Sequence, residues 1–249
     1  SLIPFFADIP IRTGWRGEFR YFFINDIRSL DEKDYPRMVD RFCALGIKKT
    51  EKLPEIKLPS LIPDKSNISK LINFYSIYKE KKILTICPGA EFGPAKRWPS
   101  NYFAEVVAYY LKKDWIVTAI GSKKDQIVVQ EIENCLDKTY PNFINTVGST
   151  NLEDAIDLLS ISSLVLTNDS GLMHVASALD IPLLALFGPT SPEFTPPLGE
   201  KSEIIRKVKG YMKLRKGDLP GGYHSSLFSI KPKETIDKLE SMEKIFISA

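Results

Sequence analysis

From Lys82 onward the apolar residues recur with a period that switches back and forth between two and 3.6, and this predicts alternating strands and helices. Ile83–Cys87 is a short apolar run that reads as a buried strand. Asn101–Lys112 reads as a helix, because Phe103, Val106, Val107, Tyr110 and Leu111 share one face and Ser100 stands ready to cap it. Trp115–Ile120 predicts a strand, Asp125–Leu136 a helix and Phe143–Val147 a short strand. Leu152, Ala155, Ile156 and Leu159 form the stripe of a helix capped by Asn151, and strands follow at 163–167 and 183–187. Strand–helix units joined by short links specify a parallel sheet covered on both faces, a Rossmann-like domain.

The first eighty residues carry no such rhythm. They begin aromatic and Arg-rich, continue through a helix expected from Pro36 to Ala44, and pass a Lys- and Pro-rich stretch at 48–65. A helix with Ile68, Leu71, Ile72 and Tyr75 on one face then leads into the sheet. This segment is too irregular to make a complete domain. Pro232 opens a last helix whose apolar face (Ile236, Leu239, Phe246) needs another surface, expected on the 1–80 side. The expected division is therefore 1–80, 81–230 and 231–249. The first residues, Ser1-Leu2-Ile3-Pro4-Phe5-Phe6, read as the middle of an apolar element, so the natural chain is expected to begin earlier.

Composition narrows the class. The chain has 249 residues, 43% hydrophobic and 26% charged, with 34 basic against 31 acidic side chains. A net charge of +3 is too balanced to argue for nucleic acid. Cys43, Cys87 and Cys135 are scattered and odd in number, which fits a reducing compartment rather than a disulfide frame. With two histidines, a His-rich metal site is excluded.

Candidate chemistry concentrates at Thr167 through His174. An apolar strand ends there in a small polar turn, Asn168-Asp169-Ser170-Gly171, that opens a helix. Backbone N–H groups of a first helical turn lack internal partners and the helix dipole adds positive charge, so such a turn can hold an anion. Ordinary capping by Asp169 or Ser170 is the competing reading. A hydrolase nucleophile at Ser170 is disfavoured, because the G-x-S-x-G elbow is absent. Pro88 through Pro99 follows the first strand of the sheet and brings Lys96-Arg97 to the same edge, and Lys96 could neutralise charge on a leaving diphosphate or be simply solvated. Asp125, just inside a helix, could accept ribose hydroxyls or merely complement the dipole. Tyr211 through Asp218 forms a further basic loop.

Together these segments resemble the ADP-heptose–lipopolysaccharide heptosyltransferases of glycosyltransferase family 9, and among them the type II group. The resemblance rests on Cys87 through Pro99, Thr167 through His174 and Phe187-Gly188-Pro189-Thr190-Ser191-Pro192. It extends through Phe194 to Leu198, Arg215-Lys216-Gly217-Asp218, Gly222 to Leu227, Pro4 to Phe6 and Arg12 to Glu18. It implies an α/β chain of GT-B type, with one complete Rossmann-like parallel-sheet domain plus the remnant of a second. It also implies inverting, metal-independent transfer of heptose from ADP-heptose, without a cofactor, to the first heptose of the lipopolysaccharide inner core. By the same resemblance, Lys96 would contact the diphosphate, which the backbone of Ser170, Gly171 and Leu172 would cradle. Asp169 and His174 would contact heptose and phosphate, and Asp125 and Thr150 would lie near adenosine. Arg12, Arg16, Arg20, Lys213, Arg215 and Lys216 are candidate cations for the anionic acceptor on its membrane. The family's general base lies in an N-terminal half expected to precede Ser1, so this chain alone is expected to turn over poorly or to act only as a nucleotide-sugar-binding module. Location is expected to be cytoplasmic, peripheral at the inner membrane.

Overall fold

Hydrophobic alternation decides the layering of the molecule. The computed structural model describes residues 1–78 and 80–247, and the chain divides into two units, Ser1–Lys57 with Glu193–Pro196 and Leu58–Pro192 with Pro197–Ala249.

The first unit holds α1 (Leu2–Phe6), β1 (Thr13–Trp15), β2 (Asp26–Arg28) and α2 (Met38–Leu45). The two short strands pair in parallel, with Thr13 opposite Asp26. Arg28 ties them to α2: its guanidinium pairs with Asp26 at 2.8 Å and donates to the Ala44 carbonyl at 2.6 Å. That guanidinium, with the Thr13 hydroxyl, holds the Asp26 carboxyl below its ordinary range. Ile24 and Ala44 are the buried apolar residues of this unit, so among the described residues it encloses no core of its own, as its irregular sequence implies.

The second unit contains α3 (Lys65–Phe74), β3 (Ile83–Cys87), α4 (Ser100–Lys112), β4 (Ile116–Ala119), α5 (Gln126–Cys135), β5 (Phe143–Asn145) and α6 (Leu152–Ser160). It continues with β6 (Leu164–Asn168), α7 (Gly171–Ala178), β7 (Leu183–Phe187), β8 (Ser202–Arg206), α8 (Ser225–Phe228) and α9 (Pro232–Phe246). All six strands pair in parallel, in the order β5-β4-β3-β6-β7-β8. Alternate residues of each central strand feed opposite faces, as the two-residue period of a strand requires. Leu84, Ile86, Leu164, Leu166, Leu184 and Leu186 pack into the layer that includes α4, α5 and α9. Ile83, Cys87, Val165, Leu183, Ala185 and Phe187 pack into the layer that includes α3, α6 and α7.

Three expectations are revised. Helix α3 docks on α6, where the Asn67 amide donates to Asp154 and Asp157 at 2.9 and 2.8 Å, so this unit begins at Leu58 rather than near residue 81. Helix α9 finds its surface within the same unit: it packs on α4, with Leu239 and Met242 fully buried. That corrects the expected packing towards 1–80. Ser100 is the first residue of α4 rather than its cap, and its hydroxyl donates instead to Glu131 at 2.7 Å. Asn151 does cap α6, accepting from the Asp154 amide at 2.8 Å.

Candidate functional site

Connections from β3 run towards β4 and β5, whereas those from β6 run towards β7 and β8. Where the winding reverses, the loops leaving the two strands diverge and a crevice opens beyond their carboxyl ends. A cavity of about 380 Å³ lies there. Gly89 and Glu91 line it from the loop after β3, Gly121, Ser122 and Asp125 from the loop after β4, Thr150 and Asn151 from the entry to α6, and Ser170, Gly171 and Leu172 from the start of α7. Ile120, Ala155, Leu172 and Val175 give one part of it an apolar wall.

The two loops at the reversal are sewn together by Asn168, which is fully buried. Its Oδ1 accepts from the Trp98 amide at 3.0 Å, and its Nδ2 donates to the Pro88 carbonyl at 2.7 Å. One side chain at the end of β6 thus fixes both ends of the loop that carries Lys96. The Lys96 ammonium then meets Asp169 at 2.6 Å, and the Thr190 hydroxyl donates to the same carboxylate oxygen at 2.6 Å. Both charges are largely withdrawn from solvent, with side-chain exposures of 16% and 6%.

This arrangement leaves the start of α7 open. Asp169 is turned towards Lys96 and Thr190, and the Ser170 side chain makes no capping bond to α7. The first amides of α7 are therefore left without a side-chain cap at the cavity mouth, and nothing lies within 4 Å of where a Cβ on Gly171 would be. Uncapped first-turn N–H groups are the donors an oxyanion needs.

Asp125 stands across the cavity. Its Oδ2 accepts from the Ser122 amide and hydroxyl at 2.9 and 2.7 Å, and Arg97 lies 3.8 Å from its Oδ1. The carboxylate occupies the space where a Cβ on Gly89 would be, 2.3 Å from its Cγ, so this position accepts no side chain. The Thr150 hydroxyl donates weakly, at 3.5 Å, to the Thr146 carbonyl. His174 sits one turn into α7 with part of its ring in solvent. Desolvation by its neighbours lowers its pKa, an effect that Asp169 opposes and Lys96 reinforces.

The basic residues separate. Arg12 and Arg20 are held by backbone carbonyls of the first unit, Phe23 at 2.8 Å and Trp15 at 3.2 Å, while Arg16 is exposed. Lys213, Arg215 and Lys216 belong to the second unit, where the Ala95 amide donates to the Arg215 carbonyl at 3.2 Å and so joins their loop to the one bearing Lys96. Among the described residues no group of three His, Cys, Asp or Glu side chains is placed to hold a metal ion, and no helix is long and apolar enough to cross a membrane.

The profile of glycosyltransferase family 9 (heptosyltransferase) matches residues 1–224. The chain belongs to this family. It is 45% identical to lipopolysaccharide heptosyltransferase 2 of Salmonella typhimurium, a match that covers 97% of this chain and 72% of that protein. The same identity and coverage hold for lipopolysaccharide heptosyltransferase 2 of Escherichia coli K12. The solved structure of E. coli ADP-heptose lps heptosyltransferase II superposes with a TM-score of 0.86 at 41% identity, covering 97% of this chain and 72% of that one. As a family 9 enzyme of GT-B type, the protein is a glycosyltransferase, and the reading as a binding module alone is not favoured.

In this family 9 chain, sequence reasoning named the loops but missed some of the residues that hold them. Asn168 was seen as part of a turn, yet its work is to join two loops. Phe92, within the Pro88–Pro99 segment, was not singled out, although Lys96 lies 5.4 Å from the centre of its ring. No local signal marked Asn168, because its partners Trp98 and Pro88 are distant in sequence.

Proposed function

We propose that the protein is an inverting heptosyltransferase that moves heptose from ADP-heptose to the first heptose of the lipopolysaccharide inner core. In this reading the Rossmann-like unit is the donor domain. The adenine lies against Ile120, Ala155 and Val175, and Asp125 and Thr150 face the ribose. The diphosphate meets the amides of Ser170, Gly171 and Leu172 and the ammonium of Lys96, with Asp169 and His174 beside the heptose. The observation that carries the proposal is the uncapped start of α7 opposite Lys96, which gives two independent sources of positive character for one diphosphate.

The chemistry follows from that placement. An acceptor hydroxyl attacks the anomeric carbon from the face opposite ADP, the bond from that carbon to the β-phosphate oxygen breaks, and configuration inverts. Negative charge then accumulates on the departing diphosphate, where fixed donors are most effective because they need no reorganisation. The reaction as proposed calls on no metal, since Lys96 and α7 meet the leaving charge. The acceptor is the phosphorylated core at the cytoplasmic face of the inner membrane, and Arg12, Arg16 and Arg20 on the 1–80 segment offer it cations.

Calorimetry with ADP and a heptose-transfer assay test the reading. Expected are ADP binding and transfer of heptose from ADP-heptose to a heptose-bearing acceptor. A chain that binds no adenine nucleotide would overturn the assignment of the cavity.

A further inference from the structure

Three cations converge on one aromatic ring beside the cavity. Lys96 Nζ lies 5.4 Å from the centre of Phe92, the Arg215 guanidinium carbon 5.4 Å and Lys213 Nζ 5.8 Å. Like charges do not gather without a cause, and the negative face of a ring is only a partial one. Lys96 has Asp169 as its counter-charge. Among the described residues, neither Lys213 nor Arg215 pairs with a carboxylate, and both are exposed.

Backbone contacts hold this convergence in place. Gly93 has φ +141°, in the region that favours glycine, and a Cβ there would come within 2.3 Å of the Arg215 carbonyl oxygen. On the other side of the loop, a Cβ on Gly222 would meet the Pro94 ring at 2.8 Å. The Met212 amide donates to the Pro189 carbonyl at 2.9 Å, and the Gly217 amide to the Gly222 carbonyl at 2.7 Å. Residues 211–222 are thereby fastened both to the loop bearing Lys96 and to the loop after β7.

We propose that Phe92 is a positioning residue that gathers Lys96, Lys213 and Arg215 into one cation cluster for the donor's diphosphate, which moves Lys213 and Arg215 from the acceptor to the donor. The inference rests on the cavity being the ADP-heptose site. The ring aligns the cations while the anion is absent, and the incoming diphosphate supplies the counter-charge that Lys213 and Arg215 lack. Phe92 itself touches no reacting atom.

The test is calorimetric titration of the whole chain with ADP and with adenosine, at two salt concentrations. Expected is a loss of ADP affinity of about tenfold in Phe92→Leu and in the Lys213→Ala/Arg215→Ala double variant, the scale of one lost contact to a charged group. Adenosine affinity should stay within about twofold, and Phe92→Tyr, which keeps the ring, should bind ADP as the parent does. The salt dependence of ADP binding should be shallower in the double variant. Unchanged ADP affinity in both variants would overturn the proposal and return the loop to the acceptor. Equal loss of ADP and adenosine binding would also overturn it, by showing that Phe92 only maintains the fold. Failure of the parent chain to bind either ligand would instead reject the assignment of the cavity itself.

Discussion

Lys96 and Asp169 hold each other at 2.6 Å without any donor present, so replacing the lysine does two things at once. It removes the positive charge beside the proposed leaving group, and among the described side chains it leaves the buried carboxylate with the Thr190 hydroxyl as its hydrogen-bond donor. Lys96→Ala should therefore lower kcat on the order of a hundredfold, with a smaller rise in donor KM, because an interaction that strengthens in the transition state acts on kcat. It should also cost on the order of 2 kcal/mol of stability, from the unpaired acid. The double variant Lys96→Ala/Asp169→Asn separates the two effects: urea unfolding should show stability recovered while transfer stays impaired. If kcat recovers with stability, Lys96 is structural. His174 is the second informative residue. Its folded pKa lies below the ordinary 6.5, so as pH falls through about 6.5 the unfolded chain takes up the proton first. Stability is retained above that pH and declines from there down to the lowered folded value. His174→Gln should flatten urea midpoints measured between pH 7 and pH 5; an unchanged slope would mean that the ring is effectively in water.

Among the elements, α4 carries an internal fault. Tyr110 is fully buried in the layer that includes α4, α5 and α9, and among the described residues its hydroxyl has no hydrogen-bond partner. Burial also pushes its pKa upward. An unsatisfied buried hydroxyl costs about 1–3 kcal/mol, while the ring packs edge-on against Trp115 with centroids 4.9 Å apart. Tyr110→Phe keeps the ring and removes the fault, so melting should occur a few degrees higher. A lower melting temperature would show that the hydroxyl reaches water. The elements also show what the sequence could disclose. Strands β3, β6 and β7 are buried on both faces, so each is a mainly apolar run that pattern alone reveals. Strand β8, Ser-Glu-Ile-Ile-Arg, escaped notice because it is an edge strand, half exposed and polar at both ends. The turn at Asn168-Asp169-Ser170-Gly171 was legible because strand, Gly-containing turn and helix are contiguous. The open start of α7 was not, since it depends on Asp169 turning to Lys96 and Thr190, which are distant in sequence.

For the whole molecule, the strand order has a consequence in time. β3 pairs with β4 on one side, and its other neighbour, β6, is made only after α4, β4, α5, β5 and α6. A chain emerging from the ribosome can thus assemble β5-β4-β3 early, but Ile83-Leu84-Thr85-Ile86-Cys87 stays open along one edge until Leu164–Asn168 follows. A flat, apolar, unpaired edge is a template for another chain. Nascent chains arrested just after Asn145 should bind chaperones and aggregate when released, whereas those arrested after Phe187, with β6 and β7 complete, should remain soluble. Equal solubility at the two lengths would mean that α4 and α5 shield the edge by themselves. The winding reversal that opens a crevice in the finished sheet is, during synthesis, the seam whose first strand waits longest for its second.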